Sequence, residues 1–221
     1  NRTDWSASLA GSSDVTIAIM GISALIEGEE GAAISSEANG DRNNISLPTN
    51  QIEYLKKLRK SAGDKPIVLV IKSGSAIDLT EISKYVDAII YAWYLGEQGG
   101  NAIADVIFGD VNPSGKLPIT IPESLSHLPD YSDYNMDNRS YKFTNHKPMY
   151  PFGFGLSYSS FDYSDLSIKK SKIDIGGSIE LNFEVLTNSN IPGDEVVQVY
   201  INDMEASFRT PTSSLIFFKR I

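Results

Sequence analysis

The sequence predicts an α/β unit, a mostly parallel sheet held between helices, followed by an antiparallel β-sandwich that is cut short. Three observations predict it. Up to about residue 122, unbroken apolar runs rich in β-branched residues alternate with stretches whose apolar positions recur at helical spacing. After about residue 160 the period changes to strict alternation between glycine and proline turns. The chain has 221 residues, of which 41% are hydrophobic, enough for one good core and a second small one.

In chain order, Val15-Thr16-Ile17-Ala18-Ile19-Met20-Gly21 reads as a strand covered on both faces and ended by glycine. Beyond it come Glu27-Gly28-Glu29-Glu30-Gly31 and a loop running to Asp41-Arg42. Loops past the carboxyl ends of strands surround the crevice where open α/β sheets bind ligands. Three acids within four residues repel one another, which favours a proton on one of them and makes the cluster a candidate general acid. The plain alternative is a solvated acidic loop.

Ser46-Leu47-Pro48-Thr49-Asn50 signals a helix start, and Ile52, Tyr54, Leu55 and Leu58 form its apolar stripe up to Gly63. Pro66 to Ile71 is the second buried strand, with Ser73-Gly74-Ser75 turning at its carboxyl end beside the same crevice. A short helix from Leu79 to Tyr85 leads to a third strand, Ala88 to Trp93. Gly96-Glu97-Gln98-Gly99-Gly100 then opens a helix with Ile103, Val106, Ile107 and Phe108 at helical spacing. Those glycines fit close packing of helix on sheet better than a phosphate cradle. There is no Gly-x-Gly-x-x-Gly, and Glu97 would oppose an anion.

Charge and composition exclude several classes of partner. Nineteen Lys and Arg against twenty-eight Asp and Glu leave a net charge of -9, with no basic run to hold a phosphate backbone. Nucleic acid and anionic membranes are therefore not expected partners. No apolar stretch approaches the roughly 20 residues of a membrane span, and Asn1 to Trp5 lacks the shape of a signal peptide. There is no cysteine, and His127 and His146 lie in an irregular segment without ligand spacing, so neither a metal nor a cofactor is expected.

Longer motifs carry a family resemblance. Gly109-Asp-Val-Asn-Pro-Ser-Gly-Lys-Leu-Pro-Ile-Thr120, just before a proline-bracketed edge strand, resembles the turn closing the second domain of family 3 glycoside hydrolases, the β-glucosidases and β-xylosidases. The segment from Tyr91 to Asp105 is similar to the stretch before that turn, and Tyr150-Pro-Phe-Gly-Phe-Gly-Leu-Ser-Tyr158 to the opening of the third domain. Gly193-Asp-Glu-Val-Val-Gln-Val-Tyr200 also has a counterpart in the family, and the motifs occur in the family's order.

The resemblance implies a role for the acidic loop. Retaining family 3 enzymes place a nucleophilic Asp on an N-terminal (β/α)8 barrel and supply an acid/base Glu from the second domain, after a small residue and before an Asp-Arg pair. Gly28-Glu29 with Asp41-Arg42 matches that position best, so the resemblance assigns the role to Glu29, with Glu27 and Glu30 as alternatives. A retaining glycosidase needs two carboxyls about 5–5.5 Å apart, one ionised and one protonated. The nucleophile is expected outside this chain. Thr3-Asp4-Trp5 looks superficially like the family's nucleophile motif, but Asp4 lies about ten residues before the first strand, which leaves no room for a barrel.

The implied organisation is an α/β domain over 1–122 (flavodoxin-like, three-layer), an ordered linker over 123–160, and a truncated fibronectin-III-like domain over 161–221. Tyr131, Tyr134, Tyr141, Tyr150 and Tyr158 are read as pins holding the linker against the domains, the other reading being a sugar-stacking array. Ile179 to Val185 and Val197 to Asn202 alternate, and Leu215 to Phe218 is a last strand candidate. Such a sandwich usually takes about 100 residues.

Two functional classes follow. One is the acid/base part of a retaining β-glycosidase acting on terminal β-linked glucose or xylose, with a β-linked oligosaccharide or glycoside as substrate and the absent barrel as partner, inactive alone. The other is a non-catalytic module that binds carbohydrate or protein. An upstream export signal would make the protein secreted or periplasmic.

Overall fold

The computed structural model describes residues 5–28 and 40–221. Three strands, β1 (Thr16–Gly21), β2 (Ile67–Lys72) and β3 (Ala88–Tyr91), form a parallel sheet in the order β1-β2-β3. In its register Ala18 pairs with Leu69, and Ile71 with Tyr91. A central parallel strand has no solvent side, which is why β2 is one apolar run: Ile67, Leu69, Val70 and Ile71 are all fully buried.

Helix α1 (Trp5–Leu9) and the short α2 (Ala24–Glu27) flank β1, and α3 (Thr49–Ala62) connects it to β2. The apolar stripe on α3 places Leu55, Leu58 and Ala62 in the core with Ala18, Met20, Leu69 and Ile71 of the sheet. Each of the leucine, isoleucine and methionine side chains contributes about 1.5–3 kcal/mol by leaving water. Gly63 ends α3, its amide donating to the Arg59 carbonyl. The Arg59 side chain then reaches Asp87, whose carboxylate also accepts the Ile67 amide at 2.7 Å, tying α3 to the starts of β2 and β3.

Several elements differ from the sequence expectation. Ile17 and Ile19 are 42% and 61% exposed, so β1 is not covered on both faces. It lies at the sheet edge, and the residues it buries are Ala18 and Met20 on the α3 side. The expected helix over 79–85 is a single 3-10 turn, Ile82–Tyr85. β3 stops at Tyr91 because Trp93 takes φ 56°, which no strand can continue. Helix α4 (Gly99–Phe108) has no fully buried residue, and Phe108 is exposed. The proline-bracketed segment forms one antiparallel bridge, Ile121 to Tyr150, with Ile121 fully buried.

Helix α5 (Ser140–Phe143) precedes four antiparallel strands. β4 (Phe161–Ile168) pairs with β5 (Leu181–Thr187), and β6 (Val196–Ile201) with β7 (Ser214–Arg220), as separate two-stranded sheets. The tyrosines of the connecting segment divide. Tyr158 donates to the Val106 carbonyl at 2.6 Å, the Tyr141 hydroxyl accepts the Leu215 amide at 3.1 Å, and Tyr150 packs on the core. Tyr131 and Tyr134 are 94% and 91% exposed and pin nothing. Their loop is braced instead from within, by Arg139 donating to the carbonyls of Asp130, Asp133 and Asn135.

Asn112 joins the two halves of the molecule. Its Oδ1 accepts from the Tyr158 amide and the Ser157 hydroxyl, each at 2.8 Å, and its Nδ2 donates to Ser159 Oγ and the Pro192 carbonyl. Four hydrogen bonds use all the capacity of one amide side chain. Nearby, Lys116 pairs with Glu195 at 3.3 Å, and Gln198 donates to the Gly153 carbonyl.

Candidate functional site

The carboxyl ends of β1, β2 and β3 converge on one rim, and three stretches meet there. From β1 comes Glu27, the last residue of α2. From β2 comes the Ser73-Gly74-Ser75 turn, in which the buried Ser73 hydroxyl donates to the Ser75 carbonyl and accepts the Ser75 amide. A serine that folds back on its own backbone makes this turn without help from a distant element. From β3 come Trp93 and Tyr94, with Trp93 held in the left-handed region and its ring 4.7 Å from that of Tyr91. Such a backbone costs on the order of 1–3 kcal/mol and persists only where its surroundings over-determine it.

Hydrogen bonds knit these stretches together. Arg42 Nη2 donates to Ser75 Oγ at 2.8 Å, and Ser75 Oγ donates to Glu27 Oε1 at 2.7 Å. The Tyr91 hydroxyl donates to the Ser75 carbonyl. The Tyr94 hydroxyl is hydrogen-bonded to Glu27; burial first, then the carboxylate, push this phenol above its ordinary value, so Tyr94 stays a donor. Its ring lies against Gly74, where a Cβ would meet Tyr94 Cε2 at 2.8 Å, so only glycine admits the ring at this distance. Arg42 keeps a second nitrogen, Nη1, buried and without a hydrogen-bond partner among the described residues.

Glu27 is thus an acceptor fixed by two hydroxyls, which suits it to orienting the rim. Glu29 and Glu30 lie outside the described residues. The ends of the loop that carries them do not. Gly28 has φ 66°, and a Cβ there would stand 1.8 Å from the Gly40 carbonyl oxygen, so the loop is pinched shut between Gly28 and Gly40. Of the residues singled out from sequence, the structure joins Glu27 and Arg42 through Ser75 and leaves Asp41 exposed. Sequence reasoning placed the Ser73-Gly74-Ser75 turn beside the crevice but gave no role to Ser75, Trp93 or Tyr94; the usable signal was their position after strand ends. Among the described residues no three His, Asp or Glu side chains gather as a metal site, and no helix is long and apolar enough to cross a membrane.

Residues 2–158 match the family model described as the glycosyl hydrolase family 3 C-terminal domain. The chain belongs to glycosyl hydrolase family 3. It is 35% identical over 230 residues to the periplasmic beta-glucosidase of Salmonella typhimurium, covering 99% of this chain and 29% of that protein. It is 40% identical over 202 residues to the xylan 1,4-beta-xylosidase of Xylanibacter ruminicola, covering 91% of this chain and 23% of that one. Among solved structures, the beta-glucosidase from Kluyveromyces marxianus in complex with glucose superposes with a TM-score of 0.81 at 30% identity, over 97% of this chain and 26% of that one. The chain therefore spans less than a third of the length of these relatives.

Proposed function

We propose that this chain supplies the general acid/base carboxylate, Glu29, of a retaining β-glycosidase that removes terminal non-reducing β-D-glucosyl or β-D-xylosyl residues. One observation carries the reading. Glu27, the first acid of the cluster, is committed as an acceptor to Ser75 and Tyr94 at the rim, which leaves the role to the next acid in sequence, Glu29 after Gly28. Family membership and the beta-glucosidase and beta-xylosidase names of the relatives support the substrate class.

In this reading a nucleophilic carboxylate from elsewhere in the complete enzyme attacks the anomeric carbon while Glu29 protonates the departing glycosidic oxygen. Glu29 then takes a proton from water as water attacks the glycosyl-enzyme. Glu27, Ser75, Tyr94 and Arg42 hold the rim in place. Because one of the two carboxylates is not supplied here, the chain alone is expected to show no turnover of aryl β-glucosides or β-xylosides.

The test uses the complete enzyme. Glu29→Ala is expected to slow substrates with poor leaving groups by about 10²–10⁴-fold and activated aryl glycosides far less, since activated groups depart with little proton assistance. Azide should restore part of the turnover of the activated substrates. Full activity in Glu29→Ala, with that pattern appearing in Glu27→Ala or Glu30→Ala, would move the role to the other residue.

A further inference from the structure

Besides its carboxylates, the strand-end rim carries an apolar step formed by Tyr94 and Leu95, just beyond β3. The two residues are 45% and 43% exposed, yet each is held against a glycine. A Cβ on Gly74 would meet Cε2 and Cδ2 of Tyr94 at 2.8 and 3.2 Å, and a Cβ on Gly99 would meet Cβ and Cδ1 of Leu95 at 2.5 and 3.1 Å. The Tyr94 hydroxyl is bonded to Glu27, so the ring is fixed along one side and at its polar tip. What remains free is apolar surface in a set orientation.

The backbone puts the step there. Trp93, at φ 56°, turns the chain out of β3 immediately before Tyr94, and its own ring lies 4.7 Å from that of Tyr91, whose hydroxyl donates to the Ser75 carbonyl. A ring that is immobilised before anything binds has little conformational freedom left to lose, which makes it an efficient contact surface.

Chemistry decides which part of a substrate reaches it, and this step rests on the role given to Glu29. The two carboxyls of a retaining glycosidase flank the scissile bond, with the acid beside the glycosidic oxygen that departs. Residues packed around the acid therefore face the leaving group, while the transferred sugar lies towards the nucleophile. Tyr94 is bonded to Glu27, two residues before Glu29, and the same Gly74 position that touches its ring stands 3.4 Å from Glu27 Oε2. Neither Tyr94 nor Leu95 carries a charge. The C–H face of a neutral sugar ring covers such a surface, whereas a methyl group is too small to span it.

We propose that Tyr94 and Leu95 form the platform on which the leaving group packs, and that they select glycosides whose leaving group is a sugar ring over those that release a small alcohol.

The test compares, in the complete enzyme, kcat/KM for xylobiose with that for methyl β-D-xyloside, and for cellobiose with that for methyl β-D-glucoside. Both members of each pair release an alcohol that needs a proton, so Glu29→Ala is expected to slow both, and a mistaken role for Glu29 would show there as unchanged rates without touching the ratio. Tyr94→Ala is expected to lower kcat/KM for the disaccharide about tenfold and that for the methyl glycoside by no more than about twofold. Tyr94→Phe keeps the ring and loses the bond to Glu27, and is expected to retain the preference for the disaccharide. Leu95→Ser is expected to reduce that preference about threefold, and it carries the test if thermal unfolding shows that Tyr94→Ala does not fold. Equal slowing of both members of a pair in the folded variants, unchanged rates for both, or a loss of preference in Tyr94→Phe as large as in Tyr94→Ala would overturn the proposal.

Discussion

The two halves of the chain bury their apolar residues to very different degrees. In the parallel sheet and its helices, Leu55, Ile67, Leu69, Ile71, Ile77 and Ile82 are at or below 1% exposure. From residue 161 onward Val197 is the one buried hydrophobic residue, and Phe208 and Phe218 are 76% and 66% exposed. Both halves have regular strands, so hydrogen-bonded pairing alone does not make a core. A two-stranded sheet has one neighbour per strand and is marginal by itself, whereas β2 has two strand neighbours and is covered by α3.

The largest expected effect follows from that contrast. Leu69→Ala should cost about 2–5 kcal/mol in urea unfolding, while Phe218→Ala should stay within about 0.5 kcal/mol. A loss above about 2 kcal/mol at Phe218 would mean that the C-terminal strands share a packed core in solution, and the comparison would fail.

Next in size is the joint between the halves. Asn112→Ala leaves the Tyr158 amide, the Ser157 and Ser159 hydroxyls and the Pro192 carbonyl each short of a partner, at about 1–3 kcal/mol in total where water cannot replace the amide. Hydrogen exchange should quicken at residues 157–159 and 191–193 and stay unchanged in β2. Equal quickening in β2 would show that the halves unfold together.

The smallest effect concerns acid. The Ile67 amide, and then the Arg59 guanidinium, hold the Asp87 carboxyl below the usual carboxylate value. A lowered folded-state value means that the ionised form is favoured by folding. The contribution is present above the unfolded value of about 3.9 and is lost as pH falls through the folded one. Asp87→Asn should therefore flatten the acid limb of the stability curve below about pH 4. The change should be modest, because this side chain is 52% exposed and its ion pair is screened. An unchanged acid limb would show that Asp87 does not couple α3 to the sheet.

How far each feature was legible depended on whether its cause was local. The runs at 15–21 and 66–71 and the stripe Leu55-Leu58 are local patterns, and they place β1, β2 and α3 to within a residue or two. The site was legible as an acidic loop and a serine-glycine turn after neighbouring strands, without the bonds between them. Ser75 lies 48 residues from Glu27, and the two meet because β1 and β2 are adjacent and parallel, which no short window of sequence records. The left-handed backbone of Trp93 was hidden for a different reason, since nothing in the residue type favours it. Tyr131 and Tyr134 look like Tyr150 in composition, yet their exposure is decided by a loop that Arg139 folds upon itself. The motifs Gly109 to Thr120, Tyr150 to Tyr158 and Gly193 to Tyr200, which carried the family resemblance, meet around Asn112 and Lys116 as a structural joint rather than at the rim.

The contact between Gly28 and Gly40 works like the drawn neck of a purse. With the two ends this close, the span that the segment between them has to bridge is the same whatever its length. Closing a flexible loop of twice the length costs only about 0.6 kcal/mol more. Insertion or deletion between the two glycines therefore carries a small closure cost. The drawn-together ends, rather than the length between them, are what the rest of the domain depends on.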